Sequence, residues 1–315
     1  MIPHRLWILL SYSRIPGNAF SFWIRKTLRW SRGAPTLPDE PKADLFAYLE
    51  AMTAEGPGLP APVAGTGSDA VTAAEAREAD LRERYRLAPL ATASTRALYR
   101  KNLYLIDILE KACAGLPFPG ARAGGLRALD VGSQDWHYVF GLERWLRHAN
   151  GATAGGAADQ EARPVFLRGV EVDGYGIYPD FRSRKDYAQA YAARTGNPQV
   201  TYEVRDILKA EGDDFDVVTL FYPFVTRHHL LLWGLPLGLF RPARLLARIA
   251  AMTRPGGWLL AFTHTLVEHE LFLELGKADG GFELLRQGRA LSNLVDFHAD
   301  VEDRRFSVWR RIGGT

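Results

Sequence analysis

The 315-residue sequence has a single cysteine, Cys113, which excludes an internal disulfide framework and is typical of a reducing compartment. No run of about 18 apolar residues occurs, so no membrane-spanning helix is expected. The first residues lack a convincing signal-peptide hydrophobic stretch with a small-residue cleavage site, so we expect a cytoplasmic protein. The net charge of +3 is too small to favour a nucleic-acid partner, and we expect none.

Three ligand-binding motifs are also missing. The sequence has no G-x-G-x-x-G fingerprint for a dinucleotide and no phosphate-binding P-loop. The segment "HTLVEHE" places His264, Glu268 and His269 close together, but its spacing matches no metalloprotease motif. We therefore expect no metal site, and a solvated helix start is the simpler interpretation of this segment.

Acidic residues are absent from the first 38 positions, whereas basic and aromatic residues alternate there. Basic residues attract anionic lipid, and tryptophan prefers the membrane interface, so a peripheral contact at the inner membrane face is one interpretation. The alternative is that the aromatic side chains pack on the main domain. The residues concerned are Arg5, Trp7, Arg14, Phe20, Phe22, Trp23, Arg25, Lys26, Arg29, Trp30 and Arg32.

Composition and periodicity divide the chain into three regions. Residues 1–55 form the basic aromatic arm, and residues 56–120 form a helical extension that begins with a linker rich in Gly, Pro and Ala. Residues 121–315 alternate between strand-like and helix-like patterns. That alternation predicts an α/β fold: a doubly wound, mostly parallel, seven-stranded Rossmann-like sheet with an antiparallel edge.

Ligands of such sheets bind at the carboxyl ends of the strands, so the residues after each strand are the candidates for chemistry. Gly132 follows the first strand, where a glycine lets the backbone turn sharply and approach a ligand. Glu171 ends the second strand, Asp206 follows the third, and "FYPFVTRHH" follows the fourth.

Taken in order, the segments "ALDVGS", "GVEVD", "VRDI", "FDVVTLFYPF" and "TRPGGWLLAF" resemble the class I S-adenosylmethionine-dependent methyltransferases over residues 125–315. The resemblance implies S-adenosylmethionine as cofactor. It assigns Asp130, Gly132 and the neighbouring Ser133 to the methionine part and Glu171 to the ribose. It further assigns Asp206 to the adenine, and Phe221 to the border of the transferred methyl group.

The turn departs from the family pattern, because Gln134 and Trp136 occupy the places of the second and third glycines. Either the turn follows a different path or the ligand lies farther out. Cation–π attraction to a sulfonium would let Trp136 or Tyr138 replace lost backbone contacts. The alternative is that Trp136 only packs the first helix on the sheet.

Methyl transfer mainly requires that the acceptor atom is held in line, and a base is needed only where the acceptor must lose a proton. Tyr222, His228 and His264 are the candidate catalytic residues, with His229 beside them. Surface or helix-capping histidines are the simpler interpretation.

The predicted function is methyl transfer to an unidentified small-molecule or lipid-like envelope acceptor. The apolar segment "LLLWGLPLGLF" favours a hydrophobic pocket wall, a membrane contact or a subunit contact, with core packing as the alternative. Two other functions stay open: a non-catalytic binding or scaffold protein that keeps the fold, and a Rossmann-type enzyme that uses another nucleotide.

Overall fold

The computed structural model describes residues 12–36, 68–120, 122, 124–152, 163–212, 214–292, 294 and 303–313. Most of the predicted Gly-, Pro- and Ala-rich linker lies outside these residues. No helix in the described ranges is both long enough and apolar enough to cross a bilayer.

The described helices alternate with strands from residue 126 onward, as the sequence predicts. They are α1 Ile15–Leu28, α2 Ser68–Arg84, α3 Ala88–Ala93, α4 Arg96–Cys113, α5 Val139–Ala152, α6 Arg184–Arg194, α7 Arg227–Leu232, α8 Pro242–Met252 and α9 Leu266–Asp279. The 3₁₀ turn Ile207–Lys209 lies between two strands, and the 3₁₀ turn Leu237–Leu239 lies between α7 and α8.

Seven strands form one sheet in the order β3-β2-β1-β4-β5-β7-β6. Strands β1 to β5 are parallel, and β7 is antiparallel to both β5 and β6. The predicted doubly wound sheet with an antiparallel edge is therefore confirmed. The strands are β1 Leu126–Val131, β2 Val165–Glu171, β3 Val200–Val204, β4 Phe215–Phe221, β5 Thr253–Thr263, β6 Phe282–Arg289 and β7 Arg305–Arg311.

Side chains alternate across the sheet and produce two cores. Along β1, Leu126 and Ala128 face the core that contains α4, α5 and α6, while Leu129 and Val131 face the core that contains α8 and α9. Helix α4 belongs to the first core, so this part of the predicted extension packs directly with the sheet domain.

Local capping explains where two of the helices begin. Thr95 accepts a hydrogen bond from the backbone N–H of Leu98 at 3.2 Å, which caps α4. Ser183 and Asp186 form a reciprocal capping box at the start of α6. Helix α6 thus begins directly after Ser183, and Thr95 rather than the adjacent Ser94 supplies the α4 cap.

Pro255-Gly256-Gly257 is a helix-stop pattern in the sequence, but α8 ends before it. The helix ends at Met252, and β5 already begins at Thr253 and runs through the Pro-Gly-Gly segment. A Cβ on Gly257 would lie 2.9 Å from the carbonyl oxygen of Phe215. The glycine therefore serves the close approach of β5 to β4 rather than the helix terminus.

The apolar segment 230–240 provides the surface on which α1 packs. Phe22 of α1 is buried against Leu230 and Leu235. On the opposite side of α1, Phe20 and Trp23 are about 60% exposed. The arm thus buries one aromatic side chain on the domain and presents others to solvent.

Trp136 lies in the interior between β2 and the start of α5. Its side chain is fully buried, and a Cβ placed on Gly169 would lie only 2.7 Å from its indole ring. A glycine on β2 thus supplies the space that the tryptophan occupies. The packing interpretation of Trp136 agrees with this position.

This exchange of volume predicts coupling between the two positions. Gly169→Ala should lower the free energy of unfolding by about 1–3 kcal/mol through overpacking, and Trp136→Ala by about 3–5 kcal/mol through a cavity. In the double variant the added methyl group enters the cavity. The loss of unfolding free energy should therefore be smaller than the sum of the two single-variant losses by about 0.5–3 kcal/mol. Chemical denaturation measures all of these values. The control pair is Gly169→Ala with Trp145→Ala, whose indole packs against Phe118 instead, and it should be additive.

Candidate functional site at the carboxyl ends of the strands

The turn after β1 keeps backbone conformations that favour glycine, although the second and third glycines of the family pattern are replaced. Gly132, Gln134 and Trp136 have φ values of 77°, 54° and 58°, so three alternate residues are left-handed. A left-handed conformation costs an L-residue about 1–2 kcal/mol, which surrounding contacts must offset. The turn therefore holds Gln134 and Trp136 in a conformation that glycine adopts without a steric penalty.

Hydrogen bonds from neighbouring strands hold this turn. The backbone N–H of Gln134 donates to Oε2 of Glu171 at 2.9 Å. The hydroxyl of Tyr202, on β3, donates to the carbonyl oxygen of Gln134. A Cβ built on Gly132 would meet nothing within 4 Å, so there is open space beside this residue.

Asp130 is the polar centre beneath the turn. Its Oδ2 accepts from the Trp136 indole N–H and the Tyr138 hydroxyl, both at 2.8 Å, and its Oδ1 accepts from Thr219 at 2.6 Å. Complete burial raises the pKa of Asp130 to about 6, although these hydrogen bonds act in the opposite direction. The fully buried Asp130 side chain holds the turn from beneath, and its assignment to a cofactor stays a prediction.

Ser133 and Trp136 are likewise directed inward. The Ser133 hydroxyl donates to the carbonyl oxygen of Asp130 at 3.0 Å, and neither side chain has exposed surface. Both side chains contribute to the interior of the turn, and their assignment to a cofactor stays a prediction.

Glu171 ends β2 and borders the crevice. It is 7% exposed; its Oε1 accepts from the backbone N–H of Asp173 at 2.8 Å, and its Oε2 accepts from Gln134. A carboxylate offers about four lone-pair sites, so about two remain for a ligand. Burial raises the pKa of Glu171, against the influence of the nearby Arg184 guanidinium.

A charged cluster that the sequence analysis did not identify lies beside Glu171. Asp173, 3% exposed, accepts two hydrogen bonds from Arg25 of α1 at 2.9 and 3.1 Å and one from Arg184 at 3.1 Å. The cluster anchors α1 next to the end of β2. The acidic pair in "GVEVDG" was the available indication, but its partner Arg25 is 148 positions away.

Asp206 follows β3 as predicted and begins the first 3₁₀ turn. One of its oxygens accepts from the backbone N–H of Leu208 at 3.0 Å, and the residue is half-buried. Its second oxygen has no part in this cap. The assignment of Asp206 to an adenine stays a prediction.

Aromatic rings pack together at the end of β4. The ring of Phe221 stacks on that of Phe262 with 5.1 Å between centroids, and it meets the ring of Tyr138 edge-on with 5.2 Å between centroids. Tyr222 has a φ of 57°, and its ring stacks on His264 at 4.0 Å with an interplanar angle of 16°. Two of the three candidate catalytic residues are therefore in contact, and the strained backbone of Tyr222 is of the kind that clusters at functional sites.

His229 and Glu268 form a pair beside these rings. Nδ1 of His229 lies 2.6 Å from Oε1 of Glu268 and 2.8 Å from the Thr226 hydroxyl. Burial opposes ionisation of Glu268, but its hydrogen bond with His229 lowers its pKa below the usual value. An ionised carboxylate only accepts hydrogen bonds, so the neutral tautomer that donates Nδ1–H to Glu268 leaves Nε2 as the nitrogen with a free lone pair.

The sequence analysis selected His228, whose ring centroid lies 4.0 Å from that of His229, but the carboxylate partner belongs to His229. Glu268 also accepts from the backbone N–H of His264 at 3.2 Å, which brings the two histidines to one carboxylate. Within the described ranges, no group of three or more side chains is arranged to hold a metal ion.

The raised pKa of Asp130 predicts a pH effect on stability. Its pKa is about 6 in the folded state, above the ordinary value of 3.8, so the folded state binds more protons between these values. The contribution of Asp130 to stability is therefore full below about pH 4 and is lost as the pH rises through about 6. Between those limits the unfolding free energy of the parent should fall relative to Asp130→Asn, by about 2–3 kcal/mol. Denaturation of both proteins at several pH values measures the difference, and parallel pH curves would contradict the assignment.

No family model matches the sequence, and no curated protein matches it either. Three solved structures illustrate its fold similarity. The [4+2]-cyclase SpnF is 15% identical with a TM-score of 0.44, and covers 69% of this chain and 82% of its own. A SAM-dependent methyltransferase from Aquifex aeolicus is 16% identical with a TM-score of 0.43, and covers 68% and 93%.

The third is the N-methyltransferase NodS from Bradyrhizobium japonicum WM9 in complex with S-adenosyl-L-homocysteine. It is 12% identical with a TM-score of 0.42, and covers 75% of this chain and 98% of its own. At these identities and TM-scores the similarity concerns the fold only. The assignment of the fold is carried by the strand order and strand directions of the sheet itself.

Proposed function

We propose that this chain binds S-adenosylmethionine at the carboxyl ends of β1 and β2 and transfers its methyl group to an acceptor near β4 and β5. The observation that carries the proposal is Glu171, a nearly buried carboxylate with spare acceptor capacity beside the open space at Gly132. A pair of ribose hydroxyls would satisfy the remaining lone pairs of Glu171, since hydrogen bonds to a charged acceptor are the stronger kind.

The turn is compatible with this cofactor. Its left-handed residues at 132, 134 and 136 reproduce the conformation that a glycine-rich turn adopts, and the bulky Trp136 side chain is housed in the interior. The backbone near Gly132 is thus accessible to a ligand although two glycines are replaced. The second oxygen of Asp206 supports recognition of an exocyclic amino group.

When bound, the sulfonium supplies an activated methyl group. The chain's own residues would then hold the acceptor and, where needed, accept its proton. Nε2 of His229 is the nitrogen suited to accept that proton, with Glu268 holding the ring through Nδ1. Tyr222 and His264 form a flat, stacked wall for an acceptor, so the predicted roles of Tyr222 and His264 remain part of the proposal.

The acceptor is proposed to be a small or lipid-like molecule. Half-buried aromatic side chains follow β4 and pack on the cluster of Phe22, Leu230 and Leu235, among them Phe224, Trp233 and Phe240. Such a lining favours an apolar acceptor over a highly charged one.

A specific observation favours a second candidate, a non-catalytic binding protein with this fold. Both carboxylate oxygens of Asp130 accept hydrogen bonds from within the domain, and both oxygens of Glu171 already accept hydrogen bonds from backbone N–H groups. A chain that had lost its cofactor would tolerate such internal satisfaction. A third candidate, an enzyme that uses a dinucleotide, is addressed by the same experiment.

Calorimetric titration with S-adenosylmethionine, S-adenosylhomocysteine and NAD separates these candidates. We expect the first two to bind and NAD not to bind. Glu171→Gln should weaken binding by about 10–100-fold, because hydrogen bonds to a charged group contribute about 1.5–3 kcal/mol. The matched control is Glu143→Gln, a fully buried carboxylate paired with Arg147 on α5, which should leave affinity unchanged.

Each alternative outcome has a distinct meaning. Binding of neither adenosyl compound would sink the proposal and favour the non-catalytic protein. Binding of NAD alone would favour the dinucleotide enzyme. Undiminished binding by Glu171→Gln would remove the ribose assignment.

A further inference from the structure

Helix α1 presents large apolar side chains to solvent. Phe20 is 62% exposed and Trp23 is 60% exposed, and their rings stack at 6.3 Å. Leu28, in the last turn of the same helix, is 70% exposed. Grouped exposed aromatic side chains indicate an interaction site more strongly than single scattered ones do.

The opposite face of α1 is fixed to the domain. Asn18 donates to the carbonyl oxygen of Leu231 at 2.7 Å, Phe22 is buried against segment 230–240, and Arg25 pairs with Asp173. The exposed aromatic side chains are therefore displayed by an anchored helix.

The exposed apolar surface continues onto the loop that follows β2. Trp30, 50% exposed, donates its indole N–H to the carbonyl oxygen of Phe181 at 2.8 Å, and Phe181 itself is 66% exposed. We name these exposed residues the aromatic patch: Phe20, Trp23, Leu28, Trp30 and Phe181.

Positive charge accompanies the aromatic patch. The first 38 residues contain six basic residues and no acidic residue, and Lys26 and Arg29 are exposed on α1 and at its C-terminus. The acidic side chains near α1 have cationic or hydroxyl partners: Asp173 pairs with Arg25 and Arg184, Asp180 with Arg182, and Asp186 with Ser31. The surface therefore complements an anionic partner.

We infer that the aromatic patch docks on an anionic lipid bilayer. Tryptophan and phenylalanine suit the region between head groups and acyl chains, and Lys26 and Arg29 suit the charged head groups. A symmetric contact with a second copy is disfavoured, because it would bring the same cations of two chains together. The inference rests on this surface alone and does not depend on the proposed methyl transfer.

Flotation of the full chain with phosphatidylcholine vesicles, with and without phosphatidylglycerol, tests the inference. We expect binding only to the anionic vesicles at low salt and release at high salt. Phe20→Ser with Trp23→Ser should weaken binding on the order of 10-fold or more. Lys26→Gln and Arg29→Gln should each weaken it about five-fold, since one basic residue near such a surface contributes about 1 kcal/mol.

The matched control is Val267→Ser, which removes a 63% exposed apolar side chain from α9 and should leave vesicle binding unchanged. Equal binding to neutral vesicles, no binding to anionic vesicles, or an equal loss in the control would each overturn the inference. The inference would also be overturned if sedimentation showed that the parent forms a dimer and the Phe20→Ser/Trp23→Ser variant does not, because a second copy would then cover the aromatic patch.

Discussion

The hydrogen bonds that converge on Asp130 constrain everything above them. They join β1 to β4 through Thr219 and to the start of α5 through Trp136 and Tyr138. A buried carboxyl group is costly unless its oxygens are satisfied, so removing one donor penalises the whole arrangement. The turn between β1 and α5 is thereby fixed, and with it the Gln134 amide that meets Glu171. The buried carboxyl group of Asp130 thus helps to orient the carboxylate of Glu171.

The turn after β1 keeps Gln134 and Trp136 in left-handed conformations that favour glycine. A glycine at the third motif position normally lets helix and strand pack closely. Here the bulk of Trp136 is accommodated because residue 169, on the neighbouring strand, is glycine. The indole also donates to Asp130, and that hydrogen bond helps offset the strain of a left-handed tryptophan. Because the compensation lies 33 positions away (169 minus 136) on another strand, no local pattern could have indicated it.

Local features of the sequence were enough to predict most of the fold. Alternation of strand and helix patterns predicted the sheet and its antiparallel edge. The pairs that organise the candidate site were not predictable in this way. Arg25 meets Asp173, and His229 meets Glu268, only because folding brings distant segments to the same edge of the sheet. The sequence therefore indicated the edge of the sheet at which these side chains lie, but it selected His228 as a candidate where the histidine paired with Glu268 is His229.

The position of α1 connects the two proposals in this molecule. The guanidinium of Arg25 donates to Asp173, and the backbone N–H of Asp173 donates to Glu171. A continuous series of contacts therefore runs from α1 to Glu171, the residue proposed to bind the ribose. If membrane docking steadies α1, it also steadies the loop that carries Asp173. Coupling between two binding sites is reciprocal, so a bilayer that tightens cofactor binding must itself be bound more tightly, by the same factor, when cofactor is present. The Arg25–Asp173 pair would carry this coupling between the proposed membrane surface and the proposed cofactor site.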